Sequence, residues 1–318
     1  MKTKSKSPNA APTLIRFDWA MKRLLRQKAN YSVLEGFLSV LLEEKIKIIN
    51  IKESESNKAS AMDKYNRVDI LVENTHGELL IIELQNSEEA DYFLRMLYGV
   101  SKAITEHILA GEPYNRVRKI YHINIVYFKL GQGEDYVYCG ATEFRGIHRH
   151  DLLQLTDEQK SFFADKNRKS VGEVKDLFPE YYILCIEDFN NVAKDSLDEW
   201  IYYFKHNTIP DAFTAPGLAE ARRHLQYDNL SDQEKRDYRH HLKQRQYEKN
   251  ALNTATMKGE FRGRAKGLAE GVAKGRAEGR AETEENVVIR SHQAGYTVEA
   301  ISIITGLTPE RITEILNA

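Results

Sequence analysis

Cysteine is scarce: Cys139 and Cys185 are the only two in 318 residues. They form no metal-ligand spacing and no disulfide framework, so both are expected to be reduced thiols in a cytoplasmic protein. The chain also lacks a sizeable net charge, with 46 Lys and Arg against 47 Asp and Glu. Any nucleic-acid surface must therefore be local. No uninterrupted apolar run approaches the roughly 20 residues of a membrane helix, so a soluble protein without a membrane partner is expected. Residues 1–12 lack the apolar centre of a signal peptide and read as a disordered tail. Gly131-Gln132-Gly133 lacks the third glycine and the following helix of a dinucleotide loop, so it reads as a turn, and no small-molecule substrate is expected. His148-Arg149-His150-Asp151 lacks a partner cluster, and a solvated edge or loop accounts for it.

What the chain does have is a pair of apolar runs around Asn74-Thr75-His76-Gly77. They predict a β-hairpin. If Gly77 takes the left-handed position of a three-residue loop, opposed residues sum to 152. Val68 then faces Leu84, Ile70 faces Ile82 and Val72 faces Leu80, giving one wholly apolar face that must be buried. Side chains alternate, so the other face carries Asp69 opposite Glu83 and Leu71 opposite Ile81, with Gln85 two residues further on. Two opposed carboxylates repel each other. They call for a cation between them, either a divalent metal held by oxygen ligands or an arginine that pairs with one acid while the other meets solvent. Arg67 shares their face and can neutralise Asp69 or touch a phosphate.

Around the hairpin the chain alternates between helical and strand patterns. Helices are predicted over 17–25, with Asp18 as N-cap, and over 31–44, where Leu34, Phe37, Leu38, Leu41 and Leu42 form a stripe beside Glu35. A short strand covers 46–51 and a polar loop follows. After the hairpin a helix spans 88–110, with Leu94, Leu97, Ile104 and Ile108 on one side and Arg95, Tyr98 and Lys102 along another. The latter three suit a DNA phosphate; Arg95 can equally pair with Glu88 or Asp91. Further strands are expected near 119–128, 136–142 and 181–187, before a helix over 196–206. The pattern is α/β, a mixed sheet flanked by helices.

The C-terminal third is different. A helical connector over 216–258 carries a capping box at Ser231–Glu234, and glycine then recurs at every fourth residue from Gly259 to Gly279. Six glycines weaken an isolated helix, so residues 259–283 form either a helix ordered by a partner or a charged linker. Residues 284–318 read as short helices with Thr297 and Thr308 as N-caps, in a helix-turn-helix-like module that suits self-association at least as well as base reading. A homo-oligomer built through this helical region is expected.

Asp69, thirteen intervening residues and then Glu83-Leu84-Gln85 resemble the D-x(n)-E-x-K/Q core of PD-(D/E)XK nucleases. Arg95-x-x-Tyr98, Gly111-Glu112-Pro113-Tyr114 before a strand, and the glycine repeat ahead of Thr305-Gly306-Leu307-Thr308 are similar to the Rpn-like recombination-promoting nucleases, also described as PD-(D/E)XK family transposases. The resemblance implies a restriction-endonuclease-like core over 13–215 with an α-helical C-terminal extension. It also implies a DNA endonuclease in which Asp69 and Glu83 hold Mg²⁺, with Mn²⁺ able to substitute, and Gln85 positions the attacking water. Glu35 is the candidate to complete that shell, against the alternative of an exposed helical glutamate. The rival reading is a DNA- or protein-binding factor that retains the nuclease scaffold without catalysis.

Overall fold

A computed structural model of the chain describes residues 14–23, 25, 27–52, 70–108, 111–164 and 171–317. The tail expected over 1–12 and the loop entering the hairpin, with Arg67 and Asp69, lie outside these residues. Contacts divide the chain into two units, the first ending at Tyr238 and the second running Arg239–Ala318.

The first unit is built on six strands, β1 (Ile48–Lys52), β2 (Ile70–Asn74), β3 (Leu79–Gln85), β4 (Ile120–Val126), β5 (Val137–Gly140) and β6 (Glu180–Cys185), in the order β1-β2-β3-β4-β6-β5. The pairs β1/β2, β2/β3 and β5/β6 are antiparallel, whereas β3/β4 and β4/β6 are parallel. In the hairpin Ile70 meets Ile82, Leu71 meets Ile81 and Val72 meets Leu80, the pairing that the sum of 152 predicts. Gly77 adopts φ +70°, as the left-handed loop position requires.

Asn74 holds this turn from inside. Its Nδ2 donates to Glu78 Oε2 at 2.7 Å, while its Oδ1 accepts the backbone N–H groups of His76 and Glu78, both at 3.0 Å. Asn74 is fully buried, so truncation would leave those N–H groups desolvated and without this acceptor. Asn74→Ala is expected to lower unfolding stability by about 2 kcal/mol, measurable by urea denaturation. A change below about 0.5 kcal/mol would show that the turn forms without this side chain.

Each face of the sheet carries helices. The even-numbered residues of the hairpin (Ile70, Val72, Leu80, Ile82 and Leu84) join the large core with α1 (Phe17–Arg23), α2 (Tyr31–Leu41) and α5 (Ser196–His206). Residues Leu71, Leu79 and Ile81 face the other way and pack against Val100 and Ala103 of α3 (Tyr92–Glu106). Of the residues read along one side of α3, Ile104 packs against this cluster. Tyr92, Met96, Gly99, Val100 and Ala103 are buried, whereas Leu94 and Leu97 are 68% and 56% exposed. The helix carries two apolar stripes, and the one holding the small residues Gly99 and Ala103 lets its backbone come close to the strands.

Two glycines set another close approach. Gly36 of α2 lies against Gly217, which has φ +84° and caps α6 (Leu218–His224). Beside them the indole Nε1 of the buried Trp200 donates to Pro216 O at 3.1 Å. A short helix α4 (Asp157–Phe163) lies between β5 and β6 in the chain. His148-Arg149-His150-Asp151 falls in a turn, as expected, and no group of three His, Cys, Asp or Glu suited to a metal occurs among the described residues.

The helix α7 spans Asp232–Gln293, so the glycine repeat is helical and continuous with the connector before it. Its start is capped by Ser231, whose Oγ accepts from Glu234 N–H at 3.3 Å while Glu234 Oε2 accepts from Ser231 N–H at 2.8 Å. In the second unit, α8 (Val298–Thr305) and α9 (Pro309–Asn317) pack on the end of α7 through Val288, Ile301 and Ile312. Thr297 and Thr308 accept from the N–H groups of Ala300 and Arg311, as their N-cap assignment anticipates. Among the described residues no helix is long and apolar enough to cross a membrane.

Candidate active site

Glu83 stands near the end of β3 on the face that α3 crosses. In the parallel register it lies beside Asn124 of β4, and His122 is two residues back along that strand on the same face. Sequence reading picks out Glu83 and Gln85 but misses His122 and Asn124. The only sequence signal for them is their alternation with Ile123 and Ile125, which places them on one face without saying which strand lies alongside.

The surroundings of Glu83 are dry and cationic. Its carboxylate is 3% exposed, with Arg95 Nε at 3.7 Å and His122 Nε2 at 4.0 Å. Burial pushes the His122 imidazole down to about 4, with the Arg95 charge adding to the effect and the Met96 carbonyl opposing it. His122 is therefore neutral near pH 7, and Arg95 supplies the positive charge facing Glu83. Burial works against that charge, but Glu83 and Glu89 outweigh it and hold the guanidinium above its usual pKa. Gly99 of α3 lies against this pair. A Cβ added there would lie 3.6 Å from His122 Cε1 and 3.9 Å from Glu83 Oε1, in ordinary van der Waals contact.

Glu89 ties the mouth of the site together. Arg95 Nη1 donates to its two carboxylate oxygens at 2.8 and 3.0 Å. Gln85 Nε2 donates to Glu89 Oε1 at 2.7 Å and to Ser87 O at 3.1 Å. Deeper in, Tyr92 OH donates to Asn124 Oδ1 at 3.1 Å, and Asn124 Nδ2 donates to His122 O at 3.1 Å. These two bonds orient the Asn124 side chain beside Glu83.

Of the residues anticipated from sequence, Glu83, Gln85 and Arg95 come together. Arg95 pairs with Glu83 and Glu89 rather than with Glu88 or Asp91. Tyr98 and Lys102 lie further along α3; Tyr98 is 46% exposed and Lys102 Nζ is 3.6 Å from Glu106 Oε1. Glu35 is a correction. It belongs to α2, on the opposite side of the sheet from α3, and its carboxylate takes Lys47 Nζ at 2.6 Å and the N–H of Ile48 at 3.0 Å. Ile48 pairs with Asn74 at the turn end of the hairpin, about five strand residues or ~17 Å from Glu83. Glu35 thus fastens the start of β1. Asp18, the weaker alternative, is buried and bonded to Arg16 Nε at 3.1 Å and to the N–H of Trp19 at 2.8 Å.

A family model described as PD-(D/E)XK nuclease family transposase matches residues 15–255. The chain belongs to that family. The six-stranded mixed sheet with helices on both faces and a long C-terminal helix is the restriction-endonuclease-like α/β arrangement of PD-(D/E)XK proteins. Membership carries a nuclease- or transposase-related function, and PD-(D/E)XK nucleases generally act on DNA with divalent metal ions. No curated protein and no solved structure shows a significant match.

Proposed function

We propose that the chain is a metal-dependent DNA endonuclease that hydrolyses phosphodiester bonds at the end of β3 and serves DNA recombination or transposon-related processing. The observation that carries this reading is the gathering of Glu83 and Gln85 of β3 with Arg95 of α3. Asp69, outside the described residues, is the second carboxylate. The donor chemistry fits a hard divalent ion, because Asp69 and Glu83 supply carboxylate oxygens and Gln85 an amide oxygen. Bound Mg²⁺ supplies an activated water and charge for the leaving oxygen. Gln85 orients that water through its amide and, unlike a lysine, brings no positive charge of its own. Arg95, released from Glu83, is placed on the same helix face as Tyr98 and Lys102 to hold a phosphate of the DNA backbone.

The test is nicking of supercoiled plasmid by the full chain. Cleavage is expected with Mg²⁺ or Mn²⁺ and is expected to fall to background with EDTA. Activity that persists in chelator would remove the metal from the reading.

One observation favours a second reading, a DNA- or protein-binding factor on a nuclease scaffold. Helix α3 lies over the Glu83 face, leaving that carboxylate 3% exposed and within ion-pairing distance of Arg95. Catalysis needs this arrangement to open, whereas a binding factor does not. DNA binding by wild type without cleavage under any divalent ion would favour the second reading.

A further inference from the structure

In the second unit, every residue of α7 from 246 to 287 is exposed. Such a helix receives no stabilisation from packing within its own chain, and each of its six glycines costs up to about 1 kcal/mol relative to alanine. Among the described residues nothing outside the helix's own backbone comes within 4 Å of a Cβ added at any of the six.

The exposed side chains are not distributed evenly around the helix. At about 100° per residue, Met257, Phe261, Leu268, Val272, Gly275 and Gly279 fall within a band about 60° wide. They contain no charge, and Met257, Phe261 and Leu268 are 70%, 76% and 71% exposed. One flank of the band is wholly basic and the other is mixed, with acids in the majority. Lys258, Arg262, Arg276 and Arg280 lie along one; Glu260, Glu278, Glu282 and Glu285 lie along the other, interrupted by Arg264 and Lys274.

This asymmetry selects both a partner and an orientation. When two identical helices pair in parallel, the flank on one side of the seam meets the opposite flank of the partner. Basic residues then lie beside acidic ones. In an antiparallel pair each flank meets its own copy, so Lys258 and Arg262 would face Arg276 and Arg280. We propose that two copies of this chain pair in parallel and in register along the α7 band between residues 257 and 279. Phe261 and Leu268 supply the apolar contact, and Gly275 and Gly279 let the two backbones approach further along. The dimer supports a glycine-rich helix whose residues 246–287 are exposed. It does not depend on the nuclease reading.

The test uses the full chain. Light scattering is expected to give twice the 36.7 kDa chain mass at micromolar concentration. Leu268→Lys is expected to raise the dimer dissociation constant about tenfold or more. Since Leu268 is 71% exposed, the circular dichroism of the variant at equal monomer content should match that of the parent. A Cys139→Ser background removes the exposed native thiol, and Met257→Cys and Gly275→Cys are then oxidised separately. Parallel, in-register pairing predicts that both variants cross-link to their own copies. A monomeric parent, a dimer indifferent to Leu268→Lys, or self-cross-linking at neither or only one of the two positions would overturn the proposal.

Discussion

Gly36→Ala is expected to cost about 3 kcal/mol or more of unfolding stability, a large share of the roughly 5–15 kcal/mol that holds an ordinary domain together. A Cβ on Gly36 would fall 2.5 Å from Pro216 O and 2.6 Å from Gly217 N, which are backbone atoms with no side chain to swing aside. Gly217 cannot retreat easily. It holds φ +84°, and a Cβ there would in turn lie 2.8 Å from Gly36 Cα and 3.0 Å from Trp200 Cζ2. Relief requires α2 to shift away from α6 and carry Val33 and Phe37 out of register with the core around Trp200 of α5. Gly263→Ala is the matched control. Its Cβ would meet nothing, so the change is expected to favour the helix by about 0.5–1 kcal/mol. If chemical denaturation shows Gly36→Ala within about 1 kcal/mol of the parent, the close packing of these two glycines is not structurally decisive.

Glu83→Gln is expected to reduce plasmid cleavage by about a thousandfold or more while leaving the first unit folded. Glutamine keeps the shape and removes the charge. Arg95 retains Glu89 as a partner, bonded through two oxygens, so the guanidinium is not stranded in the interior. Asp69→Asn is expected to give a comparable loss, because both acids are assigned to one metal. Glu35→Gln separates catalysis from general acidity. Its carboxylate serves Lys47 and Ile48, so cleavage should remain within about twofold of the parent. Full cleavage by Glu83→Gln, or a collapse in Glu35→Gln of intact fold, would move the active site away from the end of β3.

The hairpin was legible because its register follows from a single local constraint, a glycine turn closing two runs whose apolar residues must share a face. The Ser196–His206 helix was legible for a similar reason, with Asp195 accepting the N–H groups of Leu197 and Asp198 at one end and Asn207 in a left-handed conformation at the other. Glu83 and Gln85 needed only the alternation of β3. The rest of the site depends on non-local pairing. His122 and Asn124 meet the Glu83 face only because β4 runs parallel to β3 after a crossover through α3, and strand periodicity does not reveal which strand becomes a neighbour. The buried face of α3 has a different cause. Leu94 and Leu97 are larger and more apolar than Gly99 and Ala103, yet small size decides which stripe lies close to the sheet. Glu35 was misplaced because a glutamate beside an apolar stripe says nothing about which face of the sheet its helix will cover.

The two tryptophans of the chain, Trp19 and Trp200, are both buried in the first unit, and residues 239–318 contain none. Their emission therefore reports on one half of the molecule and is blind to the other. Trp200 adjoins the Gly36–Gly217 contact and donates to Pro216, so a red shift registers loosening at the place where the helical layer is tightest. Far-ultraviolet ellipticity is weighted towards α7, the longest helix of the described residues, most of which lies beyond Tyr238. Heating while following both signals gives each half its own optical clock, and the gap between the two midpoints measures how far the sheet and the long helix melt as separate bodies.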